Sequence, residues 1–236
     1  MMFPSFSTAI TALAAFTAIA DARPQPPQPK GLTTLAKKMP QNTLKAPGAL
    51  ELKYVLLGVG TQNYTCLSED QALAPNTTGA VAKLYDIGSR LNTDPLAQWK
   101  IPTISGLSLS LSSFGTWQLD MYLKAEGYNE WLGNHFFTQK TPTFSLYKTK
   151  TKPHPLAMVA KNGTMDAPKT ACQGTTGEGA VPWLYLIDDS NLSQGGVNTV
   201  YRLETAGGKA PATCQGQKKT FEVPYAAQYW VYGPKA

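Results

Sequence analysis

Glu51-Leu-Lys-Tyr-Val-Leu-Leu57-Gly58-Val-Gly60-Thr-Gln-Asn63-Tyr-Thr-Cys66 decides between two folds. An apolar strand running into Gly-x-Gly is how a dinucleotide-binding βαβ unit begins, with the glycines making room for a pyrophosphate. That unit needs a third glycine where Asn63 stands, and a helix must open directly afterwards. Tyr64-Thr-Cys66 instead continues in residues that suit a strand. Gly58-Val-Gly60 therefore reads as a turn or bulge between two strand segments, and a nicotinamide site drops out.

The rest of the chain agrees with this β reading. Val81–Asp86, Asn134–Phe137, Thr143–Tyr147, Leu156–Lys161, Val181–Ile187, Thr199–Leu203 and Phe221–Tyr232 are short β-branched and aromatic runs separated by Gly, Pro and Asn. Leu107–Leu111 alternates leucine with serine, the period of a half-buried strand. Asp94–Trp99 and Asp120–Trp131 are read as containing short helices. The pattern predicts an all-β, mostly antiparallel fold: a single sandwich or barrel-like domain with long loops and short helices. Residues 50–233 are enough for one hydrophobic core and short for two.

The chain opens with an apolar, small-residue run from Ala9 to Ala20, followed by Ala20-Asp21-Ala22. Small side chains at those alternate positions are what signal peptidase accepts, and the run is shorter than the ~20 residues a membrane-spanning helix needs. Residues 1–22 are thus read as a signal peptide and the mature protein as secreted. Residues 23–49 hold Arg23, Lys30, Lys37, Lys38 and Lys45, no acid, and the prolines Pro24, Pro26, Pro27, Pro29, Pro40 and Pro47. Proline fixes φ and removes a donor, so this segment is expected to be an extended, disordered basic arm, with order beginning near Leu50. The net charge of +6 is concentrated in that arm, which leaves a near-neutral domain with little affinity for nucleic acid.

An oxidising compartment gives other residues their meaning. Asn63, Asn76, Asn162 and Asn191 each begin an Asn-x-Ser/Thr sequon. Among Cys66, Cys172 and Cys214 two are expected to pair and one to be left over. No Cys-x-x-Cys occurs and there are only two histidines, so no metal site is expected. Cleavage after Ala22 leaves Arg23 at the front, which rules out a copper site built on an N-terminal histidine.

The chemistry-bearing residues are sparse. No Gly-x-Ser-x-Gly elbow is present, and Asp120, Glu130, Asp188 and Asp189 stand in no diagnostic context and are read as solvated positions. His154, in Lys152-Pro-His-Pro155, reads as exposed loop, whereas His135, between Asn134 and Phe136-Phe137, is the candidate acid/base if the protein is an enzyme at all. A structural, hydrogen-bonded histidine is the simpler reading of it. Trp183 and Trp230 lie in apolar runs and are assigned to the core, while Trp117 and Trp131 have polar surroundings and could stack on a planar ligand.

Several segments together resemble one family. They include Gly58-Val-Gly-Thr-Gln62-Asn-Tyr64-Thr-Cys66, Leu84-Tyr-Asp86, Gly133-Asn-His135-Phe and Val181-Pro-Trp183-Leu. Tyr201-Arg202-Leu-Glu-Thr205-Ala-Gly207-Gly208-Lys-Ala-Pro211-Ala-Thr-Cys214 and Val223-Pro-Tyr225-Ala-Ala-Gln-Tyr229-Trp-Val-Tyr232 complete the set. Their order and spacing are similar to the secreted domain of unknown function 3455 family. That resemblance implies an extracellular, mostly β domain without an established activity. Some members carry a malate-dehydrogenase-like name, which the residues around Gly58 do not support. The resemblance also implies a Cys66–Cys214 bridge with Cys172 left over, although a Cys172–Cys214 bridge would close a shorter loop.

Gln62 and His135 are polar residues inside otherwise structural motifs, which makes them the candidate binding residues together with Trp117 and Trp131. The expected function is a non-catalytic extracellular binding or surface protein acting at a cell wall or host interface, with an extracellular polysaccharide or surface component as partner and no cofactor. The alternative is a secreted hydrolase or oxidoreductase that uses His135.

Overall fold

A computed structural model describes residues 31–67 and 71–235. Residues 1–22, read as a signal peptide, and residues 23–30, read as the front of the basic arm, lie outside the described residues. Nine strands form one antiparallel sheet: β1 (Glu51–Thr65), β2 (Asn76–Asp86), β3 (Trp131–Thr138), β4 (Thr141–Ser145), β5 (Leu156–Met158), β6 (Ala160–Met165), β7 (Trp183–Ile187), β8 (Thr199–Gly207) and β9 (Thr220–Gly233). Their order is β5-β4-β3-β2-β1-β9-β8-β7-β6, a meander in which the first and last strands pair along nearly their whole length.

β5 and β6 stand at opposite ends of that order, yet only Val159 separates them in the chain. The two ends are therefore held side by side, and the sheet curls almost into a closed barrel. Near-closure leaves few free edge groups for unwanted strand pairing. The stretch Leu156–Lys161, read from the sequence as one strand, is thus two strands that serve opposite ends of the sheet.

Strand alternation sends one set of side chains into the barrel and the other outward. Leu56, Ala80, Ala82, Leu84, Phe144, Leu186, Val200, Tyr225, Ala227 and Tyr229 make the inner core. The outer face of β1, β8 and β9 carries Val55, Leu57, Tyr201, Leu203, Ala226 and Trp230, and it is also buried. Its cover comes from the β2–β3 connection, which contains α2 (Gly88–Leu91), α3 (Ala97–Phe114) and α4 (Thr116–Glu126). Burial on both faces explains why β9 is buried without interruption from Tyr225 to Gly233.

β1 runs unbroken through Gly58 and Gly60, and its register shifts fall elsewhere. The glycines are points of close approach, not the turn or bulge expected. A Cβ on Gly58 would lie 2.5 Å from the Tyr229 ring, and one on Gly60 would lie 1.9 Å from the Val81 carbonyl oxygen.

Leu107–Leu111 is helical, which corrects the strand expected there. Ile101, Ile104, Ser105, Ser108 and Leu109 of α3 are buried, spaced at three and four residues, and face the sheet. The leucine–serine alternation is a short local coincidence inside that longer period. The Gln228 side-chain amide donates to the Ile101 carbonyl across the interface at 2.6 Å. Lys100 ties α3 to α4 through Glu126 at 2.7 Å and also reaches Asp94 at 3.0 Å.

Residues 31–50 are a packed strap, so order begins well before Leu50 and the arm is not disordered over this part. α1 (Thr33–Ala36) buries Leu35 completely, and the Leu35 N–H donates to Asn92 Oδ1 at 3.0 Å. The Tyr201 hydroxyl donates to the Lys45 carbonyl, and Met39, Leu44 and Leu50 pack on the outer core. Cys66 and Cys214 form a disulfide and Cys172 is free.

Candidate functional site

The four candidate binding residues fall in three places. Gln62 on β1 and His135 on β3 meet inside the barrel. Trp117, on the first turn of α4, is 67% exposed. Trp131, at the start of β3, is half-buried, with the ammonium groups of Lys148 and Lys83 at 3.6 and 5.6 Å from its ring. Its indole N–H donates to the Gly133 carbonyl at 2.7 Å, so that ring is held in place by its own strand and two cations.

Within the barrel, His135 stacks flat on Phe144 with centroids 4.1 Å apart, and Tyr229 and Phe137 crowd its other sides at 5.5 and 5.7 Å. Its Nδ1 faces the Thr143 carbonyl at 3.0 Å, so that nitrogen must carry the proton. Burial pulls its pKa down to about 4, helped by the positive charge of Arg202 and opposed by the Thr143 carbonyl. His135 is consequently neutral at ordinary pH, with its Nε2 lone pair unengaged among the described residues.

Tyr225 and Tyr229, four residues apart on β9, both point inward and share a hydrogen bond of 2.8 Å. Burial raises both phenols, so both stay protonated. Gln62, His135, Tyr229 and Arg202 border a cavity of about 30 Å³. That is room for one or two waters, since a water needs about 10–15 Å³ by this measure. A sugar ring or a nucleotide does not fit.

A larger recess lies outside the barrel. It has a volume of about 510 Å³ and is walled by the N-terminal part of α3, the strap at Pro40, the segment Pro168–Cys172, and residues Trp183, Glu204 and Thr205 of β7 and β8. Volumes of about 300–1,000 Å³ are typical of small-molecule sites. Ser105 and Trp183 line it, each 2% exposed, and neither the Ser105 hydroxyl nor the Trp183 indole N–H has a hydrogen-bond partner.

Glu204 sits where the β8–β9 register slips between Leu203 and Ala206, and its φ is +46°. Side chains other than glycine, asparagine and aspartate rarely occupy that region, and such strain gathers at functional sites. Burial pushes the Glu204 carboxyl up to about 7. Among the described residues no lysine, arginine or histidine lines the recess, so its charge is unbalanced there. Cys172 borders the same space, packed against Gly106 of α3, while the Thr205 hydroxyl is engaged by the Val181 carbonyl at 2.6 Å. Gly207 and Gly208 follow with φ of 61° and 86°, and the Gly207 N–H fixes the Cys172 carbonyl at 3.0 Å.

Sequence reading missed Glu204, Ser105 and the role of Cys172 as a wall. One signal was available: Glu204 is the lone acid in the strand run Tyr201–Ala206, most of which is buried. Ser105 carries no comparable mark. Asp120 is exposed on α4, and Asp188 instead organises its own loop by accepting from the N–H groups of Ser190, Leu192 and Ser193. Among the described residues no group of three metal-ligating side chains occurs, and no helix is long and apolar enough to cross a membrane.

A family model described as a protein of unknown function (DUF3455) matches residues 46–233, and the chain belongs to that family. Searches of curated proteins and of solved structures found no match.

Proposed function

We propose that this protein is a secreted, non-catalytic binding protein of the cell exterior, and that the recess around Glu204 takes a neutral, hydroxyl-rich ligand such as a sugar unit of an extracellular polysaccharide. The carrying observation is the recess itself: about 510 Å³, with Gln41, Gln98, Thr103 and Glu204 among its lining residues. Amides and hydroxyls both donate and accept, and Glu204 can donate when protonated and accept in either state. A ligand dense in hydroxyls matches such a wall. With no cation on the wall, an acidic ligand would meet only the Glu204 carboxylate and be repelled.

Secretion is supported by the leader ending at Ala22 and by the sequons, of which Asn76, Asn162 and Asn191 are exposed and Asn63 is half-buried on β1. The catalytic alternative, a secreted hydrolase or oxidoreductase using His135, has less support. That ring is enclosed by Phe144, Tyr229 and Phe137 beside a space of about 30 Å³, with no room for an organic substrate.

A pull-down on insoluble polysaccharides tests the proposal, comparing native protein, heat-denatured protein and Thr103→Trp. Thr103 is exposed at the rim of the recess, so tryptophan there fills the opening without entering the core. Native protein is expected to be retained, and Thr103→Trp to lose at least about tenfold in affinity, the loss of roughly 1.4 kcal/mol of contact. Retention no better than the denatured control overturns a carbohydrate ligand.

A further inference from the structure

Arg202 is a cation without an acid. Its Nε–H and an Nη2 N–H both donate to the Pro182 carbonyl, at 3.1 and 2.9 Å, and among the described residues no carboxylate comes within ion-pair distance. A partly buried guanidinium ordinarily has an anionic partner, because desolvation without one is costly. Its field is felt across the barrel interior, where it lowers the pKa values of His135, Tyr64, Tyr225 and Tyr229 against the upward pull of burial on the tyrosines.

The Gln62 amide nitrogen borders the same cavity. Gln62 is 4% exposed, and its Nε2 has no hydrogen-bond partner. It neighbours the Tyr225 phenol and helps hold that group's pKa down against the upward pull of burial. An orphaned buried donor next to an unpaired cation, around a space of about 30 Å³, is a site for something small that accepts hydrogen bonds.

We propose that the barrel interior binds one monatomic anion, a halide of the chloride or bromide type, between the Arg202 guanidinium and the Gln62 amide. The volume admits such an ion and excludes carboxylic acids with a carbon chain. Ala80 borders the space, and a larger side chain at that inward position would fill it. The phenols of Tyr225 and Tyr229 are neutral and do not compete for Arg202. His135 is also neutral at pH 7, and its Nε2 lone pair does not help an anion. A bound halide would therefore favour its protonation, and by reciprocity halide binding tightens as the pH falls toward that of His135. No other titratable group borders this space.

The test uses the mature, full-length protein. Thermal unfolding is followed in sodium chloride, bromide and sulfate at matched ionic strength, with sodium propionate as a size control. Chloride and bromide should stabilise in proportion to the logarithm of concentration, raising Tm by about 3–6 °C per tenfold increase above Kd, while sulfate and propionate should not. Gln62→Leu should keep the fold and weaken the halide effect at least about tenfold. Arg202→Gln should abolish it, and Arg202→Lys, which keeps the charge if the Pro182 contact proves necessary for folding, should retain part of it. The His135 pKa, read by NMR, should rise with chloride. Bromide-soaked crystals should show anomalous signal beside Arg202. Equal stabilisation by all four salts, an unmoved His135 pKa, or a water in that density overturns the proposal.

Discussion

The two faces of this sheet are both buried, yet they are built in opposite ways. The inner face alternates very small residues (Gly58, Gly60, Ala80, Ala82, Ala227) with large polar rings (Tyr225, Tyr229, His135), and the result is a nearly solid barrel with a space of about 30 Å³. The outer face carries Tyr201, Trp183 and Trp230 under a helix whose contact side is partly serine, and the fit leaves a recess of about 510 Å³. Polar groups on the inner face are there because strand alternation puts them inside, and the small residues close around them. Polar groups on the outer face stand at a seam between separate elements, where a ligand can enter. Room for a ligand therefore belongs to the seam, and room for an ion or water belongs to the barrel.

Gly60→Ala is the sharpest way to break the inner face. Its Cβ would collide with the backbone of Val81 and Ala82, at 1.9 and 2.6 Å, and no rotamer change relieves a backbone clash. The expected loss is about 3 kcal/mol or more, at the upper end of overpacking costs, read from the urea midpoint at unchanged m. Gly58→Ala meets the edge of the Tyr229 ring instead, which can shift, so it should cost less.

The next largest effect is one of pH, and it belongs to His135. Its folded pKa of about 4 lies below its ordinary value of 6.5. Above pH 6.5 the ring is neutral in both folded and unfolded chains. As pH falls from 6.5 toward 4 only the unfolded chain takes up the proton, so stability drops, by about 3 kcal/mol once both states are charged. His135→Phe keeps a ring on Phe144 and should flatten this acid limb. A variant with the wild-type acid slope would show that the loss originates elsewhere.

A smaller change tests the outer side. Tyr201→Phe removes the hydroxyl that holds the Lys45 carbonyl of the strap. Lys45 is exposed and its carbonyl can turn to water, so about 1 kcal/mol should be lost. Hydrogen exchange should quicken in residues 43–46 and remain unchanged in β9.

Most of the sheet was legible because strand signals are local. Seven of the predicted runs fall on strands, and the alternation that places Tyr225 and Tyr229 on one face also aims both into the barrel. The helical cover was harder. Five residues of leucine–serine alternation look like a strand, and only the wider window holding Ala97, Ile101, Ile104 and Leu109 shows the period of a helix. The strap was misread because proline and lysine composition describes an isolated chain, while Leu35, Met39 and Leu44 anchor this one to a surface made by distant strands. Gln62 and His135 could be singled out as polar residues in structural motifs, and they do converge. The recess could not be anticipated in this way. It exists because α3, the Pro168–Cys172 segment and the β8 slip at Glu204 come together from distant parts of the chain.

Glu204 gives the smallest stability effect and the clearest contrast, because its sign is opposite to that of His135. Burial raises its folded pKa to about 7 from an ordinary 4.5. Below pH 4.5 the carboxyl is protonated in both states. Between 4.5 and 7 the unfolded chain ionises first, so stability falls as pH rises, and above 7 the penalty is constant. The group is partly solvated, which reduces the size of this effect. Glu204→Gln should therefore match the wild type at pH 4 and exceed it at pH 8, as measured by urea unfolding at both values. The same variant tests the recess as a binding site. If a neutral hydroxylated ligand sits against this carboxyl, wild-type affinity should change across pH 6–8 while that of Glu204→Gln stays flat. Parallel profiles would remove Glu204 from the site and leave its strained φ as a feature of the β8 bulge alone.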